Sequence, residues 1–315
     1  TSLIATCPAD YLFGEGEDQS YSGTAYDMAG KSATAGVTDV DVDLTAPTAA
    51  PTQEPDANAA GWNKSDVTIT WNWTDGGAGI DLDPEKCPLT TVASTEGEYT
   101  VDGTCYDLAG NMGSSSYDVK IDKTNPTFGD CPAGGPFILG SGMQPVGPIG
   151  ASDTLSLLDE ANSTLAGNVD TSSIGSKDVI FTAYDLAGNF ATKTCCYSVI
   201  YDWDGFFQPV DNLPTWNKAK AGSAIPLKFS LSGFQGLDIF EVGYPKYTQI
   251  ACPSGTTGDA IEETVTAGGS SLNYDSFEDQ YIYVWKTLKT MANKCYRLDV
   301  KLIDGTTHSA LFTFK

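Results

Sequence analysis

Carboxylates recur at fixed spacing along this chain. Asp27, Asp107 and Asp185 sit in one repeated phrase: Ala25-Tyr-Asp-Met-Ala-Gly-Lys31, Cys105-Tyr-Asp-Leu-Ala-Gly-Asn111 and Ala183-Tyr-Asp-Leu-Ala-Gly-Asn189. An aspartate just ahead of a glycine turns its side chain back onto nearby backbone amides and caps a turn, which is the role expected of these three. Other carboxylates have no such assignment. Asp75, Asp81 and Asp83 fall in the loop after Trp73, and Asp41, Asp43, Asp122, Asp202 and Asp204 fall near segment junctions. Hard oxygen donors converging from loops suit Ca2+. The sequence therefore predicts structural Ca2+, with Asp75, Asp81, Asp83, Asp122, Asp202 and Asp204 as candidate ligands, and no EF-hand spacing.

Other chemistry is sparse. The single histidine, His308, lies in a strand pattern beside Ser309. A Ser-His-Asp arrangement needs the base within reach of both partners, and nothing in the spacing suggests that, so no enzyme is expected. Eight cysteines (7, 87, 105, 131, 195, 196, 252 and 295) are widely spaced, and no two of them have the CxxC spacing of a zinc or redox site. An even number spread over small domains argues for disulfides and an oxidising compartment. The sequons at Asn63, Asn72 and Asn162 agree with export and are candidate glycosylation sites. Trp203, Phe206, Phe207 and Trp216 cluster at the entry to the last segment. Exposed, they would stack on sugar rings or dock a partner; buried, they are core and interdomain packing.

The net charge of −24 is uneven, −23 over residues 1–204 and −1 over 205–315. Such a surface repels nucleic acid, whose phosphates need basic patches. It either keeps the molecule soluble through self-repulsion or concentrates cations at carboxylate clusters. No apolar run approaches a membrane span, and the absence of a leader at Thr1 suggests a processed or excised product.

The elements that must position these residues are strands. The repeated aspartates are spaced 80 and 78 residues apart, a period that fits one β-sandwich per repeat. Val67-Thr-Ile-Thr-Trp-Asn-Trp73 alternates strictly, with Val67, Ile69, Trp71 and Trp73 on one face and Asn72 outward. Glu98–Tyr106 and Ser114–Ile121 read as a hairpin around Asp107–Asn111, with Gly110 or Asn111 suited to positive φ. A second hairpin runs through 176–184 and 191–200. Ala224–Leu231, Gln280–Trp285, Tyr296–Ile303 and Ser309–Phe314 read as strands, the last two joined through Asp304-Gly305. Pro47 and Pro126 mark stiff junctions. The predicted fold is all-β: tandem Ig-like sandwiches in a row and a C-terminal all-β sandwich domain. The predicted domains are 1–46, 47–123, 124–201 and 202–315. The first matches only the back half of the second. Its missing front strands either belong to a longer polypeptide or are supplied by another chain, because a bare face and an open edge recruit strands.

The "D-x-A-G-N … D-x-T-x-P" repeats resemble bacterial Ig-like domains of large secreted surface proteins, the third copy leaning towards the hyalin-repeat-like kind. Tyr201-Asp-Trp-Asp-Gly-Phe-Phe-Gln-Pro-Val-Asp-Asn212, with Lys220-Ala-Gly222 and Pro226-Leu-Lys-Phe229, is similar to the PxKF domain that ends such chains. Lys31 departs from the turn asparagine. The resemblance implies an extracellular or cell-surface, multi-domain, non-catalytic protein. Cys252 and Cys295, alone in the last domain, are expected to pair, as are Cys87 and Cys105. Of the adjacent Cys195 and Cys196 only one can face Cys131. The resembling domains place their cysteine two before a tyrosine, here Tyr197, which favours Cys195. Cys7 and Cys196 are left over, either unpaired or linked between chains. The function expected is structural or adhesive, a filament subunit completed at its N-terminal sandwich, with copies of itself end to end or other surface proteins and glycans as partners. The alternative is a carbohydrate-binding accessory segment of a larger secreted enzyme.

Overall fold

The computed structural model describes residues 2–252, 259–260 (backbone only) and 271–315. Its regular elements are strands, apart from one 3-10 turn at Lys289–Met291, so the fold is all-β. The chain forms two compact units.

The first unit comprises residues 1–128, 151–163 and 183–191. It opens with β1 (Ile4–Thr6), β2 (Gly16–Asp27) and β3 (Ser32–Val42), an antiparallel three-stranded sheet. Then come β4 (Thr52–Glu54), β5 (Val67–Thr70) and β6 (Thr90–Ala93) in one sheet, and β7 (Gly97–Tyr106) with β8 (Met112–Ile121) in another. The β4–β6 and β7–β8 sheets enclose a core of Val67, Ile69, Trp71, Trp73, Cys87, Cys105, Val119 and Ile121. Alternation delivers this core, because every second side chain of a strand shares a face. The ladder of β5 ends at Thr70, earlier than the pattern through Trp73 suggests. Asn72 turns to a φ of +53°, and its amide donates to the Ala50 carbonyl at 3.0 Å. Trp71 and Trp73 remain buried. Gly103 lets the sheets close: a Cβ there would lie 2.5 Å from Cε2 of Trp71.

The second unit comprises residues 129–150, 164–182 and 192–315. The strands Gly175–Asp185 and Phe190–Ile200 run through both units. The core of the second unit is aromatic, with Phe229, Tyr281, Trp285, Phe312 and Phe314 among its buried residues. Cys295–Lys301 and Thr307–Phe314 form the closing hairpin, with Gly305 at a φ of +90°. The cysteines form three disulfides, Cys87–Cys105, Cys131–Cys195 and Cys252–Cys295. Cys7 and Cys196 are free and exposed.

Candidate metal centres

Two trios of carboxylates stand out in the first unit: Asp43, Asp75 and Asp107, and Asp122, Asp153 and Asp185. In each, ligand oxygens lie within 4.8 Å of one another. Corresponding members are 78 or 79 residues apart, so the same construction occurs at two successive repeats.

Each trio is assembled from three pieces of chain. The first piece is the turn phrase. Asp107 Oδ1 accepts the Asn111 backbone N–H at 2.8 Å, and its Oδ2 accepts the Asn111 side-chain amide at 2.7 Å. Asp185 and Asn189 repeat this at 2.8 and 2.9 Å. The second piece is the junction. The Asn111 amide also donates to the Asp43 carbonyl at 3.0 Å, and the Asn189 amide to the Asp122 carbonyl at 2.9 Å. The third piece is the loop ahead of the hairpin, which supplies Asp75 and Asp153. Asp43 Oδ2 accepts the Ala78 N–H at 2.6 Å, and Asp122 Oδ2 accepts the Ser156 N–H at 3.0 Å. The N–H groups of Ala78 and then Thr45 hold the Asp43 carboxyl below the usual carboxylate range.

Burial makes these charges costly. Asp122 is 0% exposed, Asp185 1% and Asp107 2%. Asp75 uses Oδ2 to accept the N–H groups of Gly77 and Gly79, while its Oδ1 is buried and takes no hydrogen bond. An all-oxygen set with an unpartnered inner oxygen fits a hard cation such as Ca2+.

Of the candidate ligands, Asp75 and Asp122 each enter a trio. Asp81 and Asp83 enter neither: Asp81 pairs with Lys86 at 2.7 Å, and Asp83 accepts the Glu85 N–H at 3.1 Å. Asp202 accepts the Ser232 hydroxyl at 2.7 Å, and Asp204 is exposed. The closing-hairpin turn of the second unit carries Leu302 where the turns of the two trios carry aspartate. Its backbone is the same, with Leu302 N–H on the Thr306 carbonyl at 2.9 Å, but the side chain is wholly buried in the core. Sequence reasoning gave Asp107 and Asp185 the turn-capping role alone. The structure has them do this and face the trio as well. Asp153 escaped notice because no motif surrounds it; its 78-residue offset from Asp75 was the available signal. In the first copy, Lys31 replaces the asparagine. Asp27 still accepts the Ala29 and Lys31 N–H groups, at 2.8 and 2.9 Å, but Lys31 has no side-chain amide with which to clasp a preceding segment.

The remaining site candidates fall elsewhere. His308 stacks on Trp203 with centroids 3.8 Å apart and contacts Thr306 Oγ1 at 2.9 Å, while Ser309 donates directly to Asp299 at 2.6 Å. Serine and aspartate thus meet without the histidine between them. Trp203 also stacks on Phe229 at 4.7 Å, so its ring is spent on packing rather than offered to a sugar. Asn63 is only 4% exposed, leaving no room for a glycan on the folded chain. Asn72 and Asn162 are exposed.

No family model matches the chain, and no curated protein matches it in sequence. Among solved structures, 95% of the chain aligns with 56% of the protocadherin gammaB4 extracellular domain, at 13% identity and a TM-score of 0.26. The chain thus spans little more than half of that structure's length. Similarly, 95% aligns with 84% of a chain in the protocadherin gammaB7 EC3-6 cis-dimer structure, at 10% identity and a TM-score of 0.24. A Bacteroides ovatus mixed-linkage glucan utilization protein, SGBP-B in complex with a mixed-linkage heptasaccharide, aligns over 87% of this chain and 71% of its own, at 11% identity and a TM-score of 0.19. Scores this low carry no inference about topology or function.

Proposed function

We propose that this chain is a non-catalytic structural or adhesive protein of the cell exterior. Its modules are 1–46, 47–123, 124–201 and 202–315, the third hyalin-repeat-like and the last of the PxKF kind. The carrying observation is the twice-built carboxylate trio. Three like charges within 4.8 Å repel strongly in a partly buried site unless a cation sits among them. Ca2+ held by Asp43, Asp75 and Asp107, and by Asp122, Asp153 and Asp185, stiffens the passage from one module to the next. Three disulfides support an oxidising, extracellular setting. Asn72 and Asn162 are the sequons able to accommodate a glycan. Cys7 and Cys196 are the points at which a covalent link to a neighbouring molecule forms, seen on non-reducing electrophoresis as bands that collapse with reductant.

Calorimetric titration of chelator-treated protein tests the cation sites. The expected result is two Ca2+ bound per chain, one lost in Asp107→Asn and the other in Asp185→Asn. Absence of binding heat, together with a melting curve indifferent to chelator, overturns the stiffening role. Partners are other surface proteins, glycans, or copies of the chain joined end to end. Electron micrographs separate the last case: filaments support it and single particles exclude it.

A further inference from the structure

The passage from the third module to the fourth is built differently from the two passages that carry carboxylate trios. Among the described residues, the core of the second module and the side chains packed against it all fall within 49–121. That core is closed to its neighbours. The core of the fourth module is open to the third. Tyr201, at the end of the third module, belongs to it, and Leu139 and Ile174 of the third module pack against it. All three lie in the second compact unit. The backbone reinforces this packing. The Leu139 N–H donates to the Ile200 carbonyl at 2.8 Å, and the Tyr201 N–H donates to Asp304 Oδ2 at 2.8 Å. Asp304 is fixed by its own turn, since its Oδ1 accepts the Thr306 N–H at 2.8 Å and the Thr306 hydroxyl at 2.7 Å. Two residues after Tyr201, the Trp203 ring stacks on His308 and on Phe229 and ties the linking segment to the fourth module.

Charge follows the same division. The junction aspartates Asp43 and Asp122 each stand in a group of three carboxylates, whereas among the described residues no such trio forms around Asp202. Asp202 instead accepts the hydroxyl of Ser232, and the closing turn presents Leu302 to the core. No cluster of like charges at this joint calls for a cation.

We propose that the third and fourth modules are locked together without a cation. The lock is the packing of Leu139, Ile174, Tyr201 and Trp203 into the core of the fourth module, closed by the clasp of Asp304 on the Tyr201 N–H. Tandem domains move against each other by default unless an apolar interface holds them, and this joint has such an interface. Removing Ca2+ therefore loosens the two joints that carry trios and leaves this one closed. The inference rests on the modules and cation sites proposed above and states where cation control stops.

The test uses the full chain in a Cys7→Ser background, with nitroxide spin labels read as pairwise distance distributions. Cys196 is exposed and serves as the label site in the third module. Lys286→Cys, at an exposed strand position of the fourth module, reports the third-to-fourth joint, and Ser116→Cys, exposed in the second, reports the second-to-third joint. The expected result is a Cys196–Lys286→Cys distribution equally narrow in Ca2+ and in chelator, and a Ser116→Cys–Cys196 distribution that widens in chelator. Ile174→Ser should widen the first distribution whether or not Ca2+ is present. Asp304→Ala should speed hydrogen exchange of the Tyr201 amide about tenfold, as loss of a hydrogen bond to a charged acceptor does. A Cys196–Lys286→Cys distribution that widens in chelator, or is wide in both conditions, overturns the proposal. So does a distribution unmoved by Ile174→Ser together with Tyr201 exchange unmoved by Asp304→Ala, because the named contacts are then not the lock. A chain that binds no Ca2+ yet keeps the narrow distribution and both variant effects loses the stiffening role of the trios and supports the lock.

Discussion

Asn111 and Asn189 each join two functions in one amide. Each closes its own turn on the aspartate four residues earlier and reaches back to the carbonyl of a junction aspartate. Replacing the asparagine with lysine, as at position 31, keeps the turn and removes the reach. His308 makes the opposite point, that a chemically versatile residue can serve packing alone. Burial against Trp203 pushes its pKa down to about 4 from 6.5, with nearby Asp304 pulling partly the other way. A depressed histidine pKa means that the folded state prefers the neutral ring. Its contribution is therefore complete above about pH 6.5 and is lost as pH falls towards 4. Taken in full the shift corresponds to roughly 3 kcal/mol over that window, and the partial exposure of the ring reduces it. We predict that urea unfolding at pH 7, 5.5 and 4.5 gives a steeper decline in the native protein than in His308→Phe, which keeps an aromatic ring on Trp203. Acidic groups titrate alike in both, so equal slopes would remove His308 from the acid sensitivity.

At the level of elements, the comparison of β2–β3 with β7–β8 separates what a hairpin encodes from what its cover encodes. Both hairpins form with the same register across the inward face, 80 residues apart, yet only the second is buried. Gly103→Val puts its new Cβ into the Trp71 ring, and overpacking of this kind costs about 1–3 kcal/mol. Gly23→Val puts its new Cβ 2.6 Å from Cγ of Pro8, a clash of similar depth, but Pro8 is exposed and can shift towards solvent where the buried Trp71 cannot, so the cost should be less than about 1 kcal/mol. Thermal unfolding of the two variants measures the difference; equal losses would mean that the first hairpin is as tightly covered as the second. The hairpins were legible because alternation and the Asp-x-Ala-Gly phrase are local signals. The early end of the β5 ladder was not, since the positive φ of Asn72 answers to a side-chain bond with Ala50, a contact across the sheet that no periodicity records. The trios were half legible for the same reason. Asp75 and Asp122 stand beside turn residues that mark them, whereas Asp153 joins its partners only through the folded loop.

Across the whole molecule, charge and site act differently and can be separated. Residues 1–204 hold nearly all of the net negative charge, so unspecific self-repulsion destabilises that stretch at low ionic strength. Monovalent salt relieves such repulsion with no geometric demand, and most of the relief is complete near 0.15 M, where the screening length falls to about 8 Å. A cation held inside a trio obeys another rule. It stabilises by mass action in proportion to the logarithm of its concentration over its dissociation constant, even when the surroundings are fully screened. We therefore predict two separable increments in melting temperature. Sodium chloride should raise it in the native chain and in the Asp107→Asn, Asp185→Asn double variant alike. Millimolar Ca2+ added on top of 0.5 M sodium chloride should raise it further in the native chain alone. If the double variant gains as much from Ca2+ as the native chain does, the ion is acting on the diffuse field of the acidic surface. The trios are then turn architecture, and stiffness along the modules must come from the proline junctions and the amide clasps of Asn111 and Asn189.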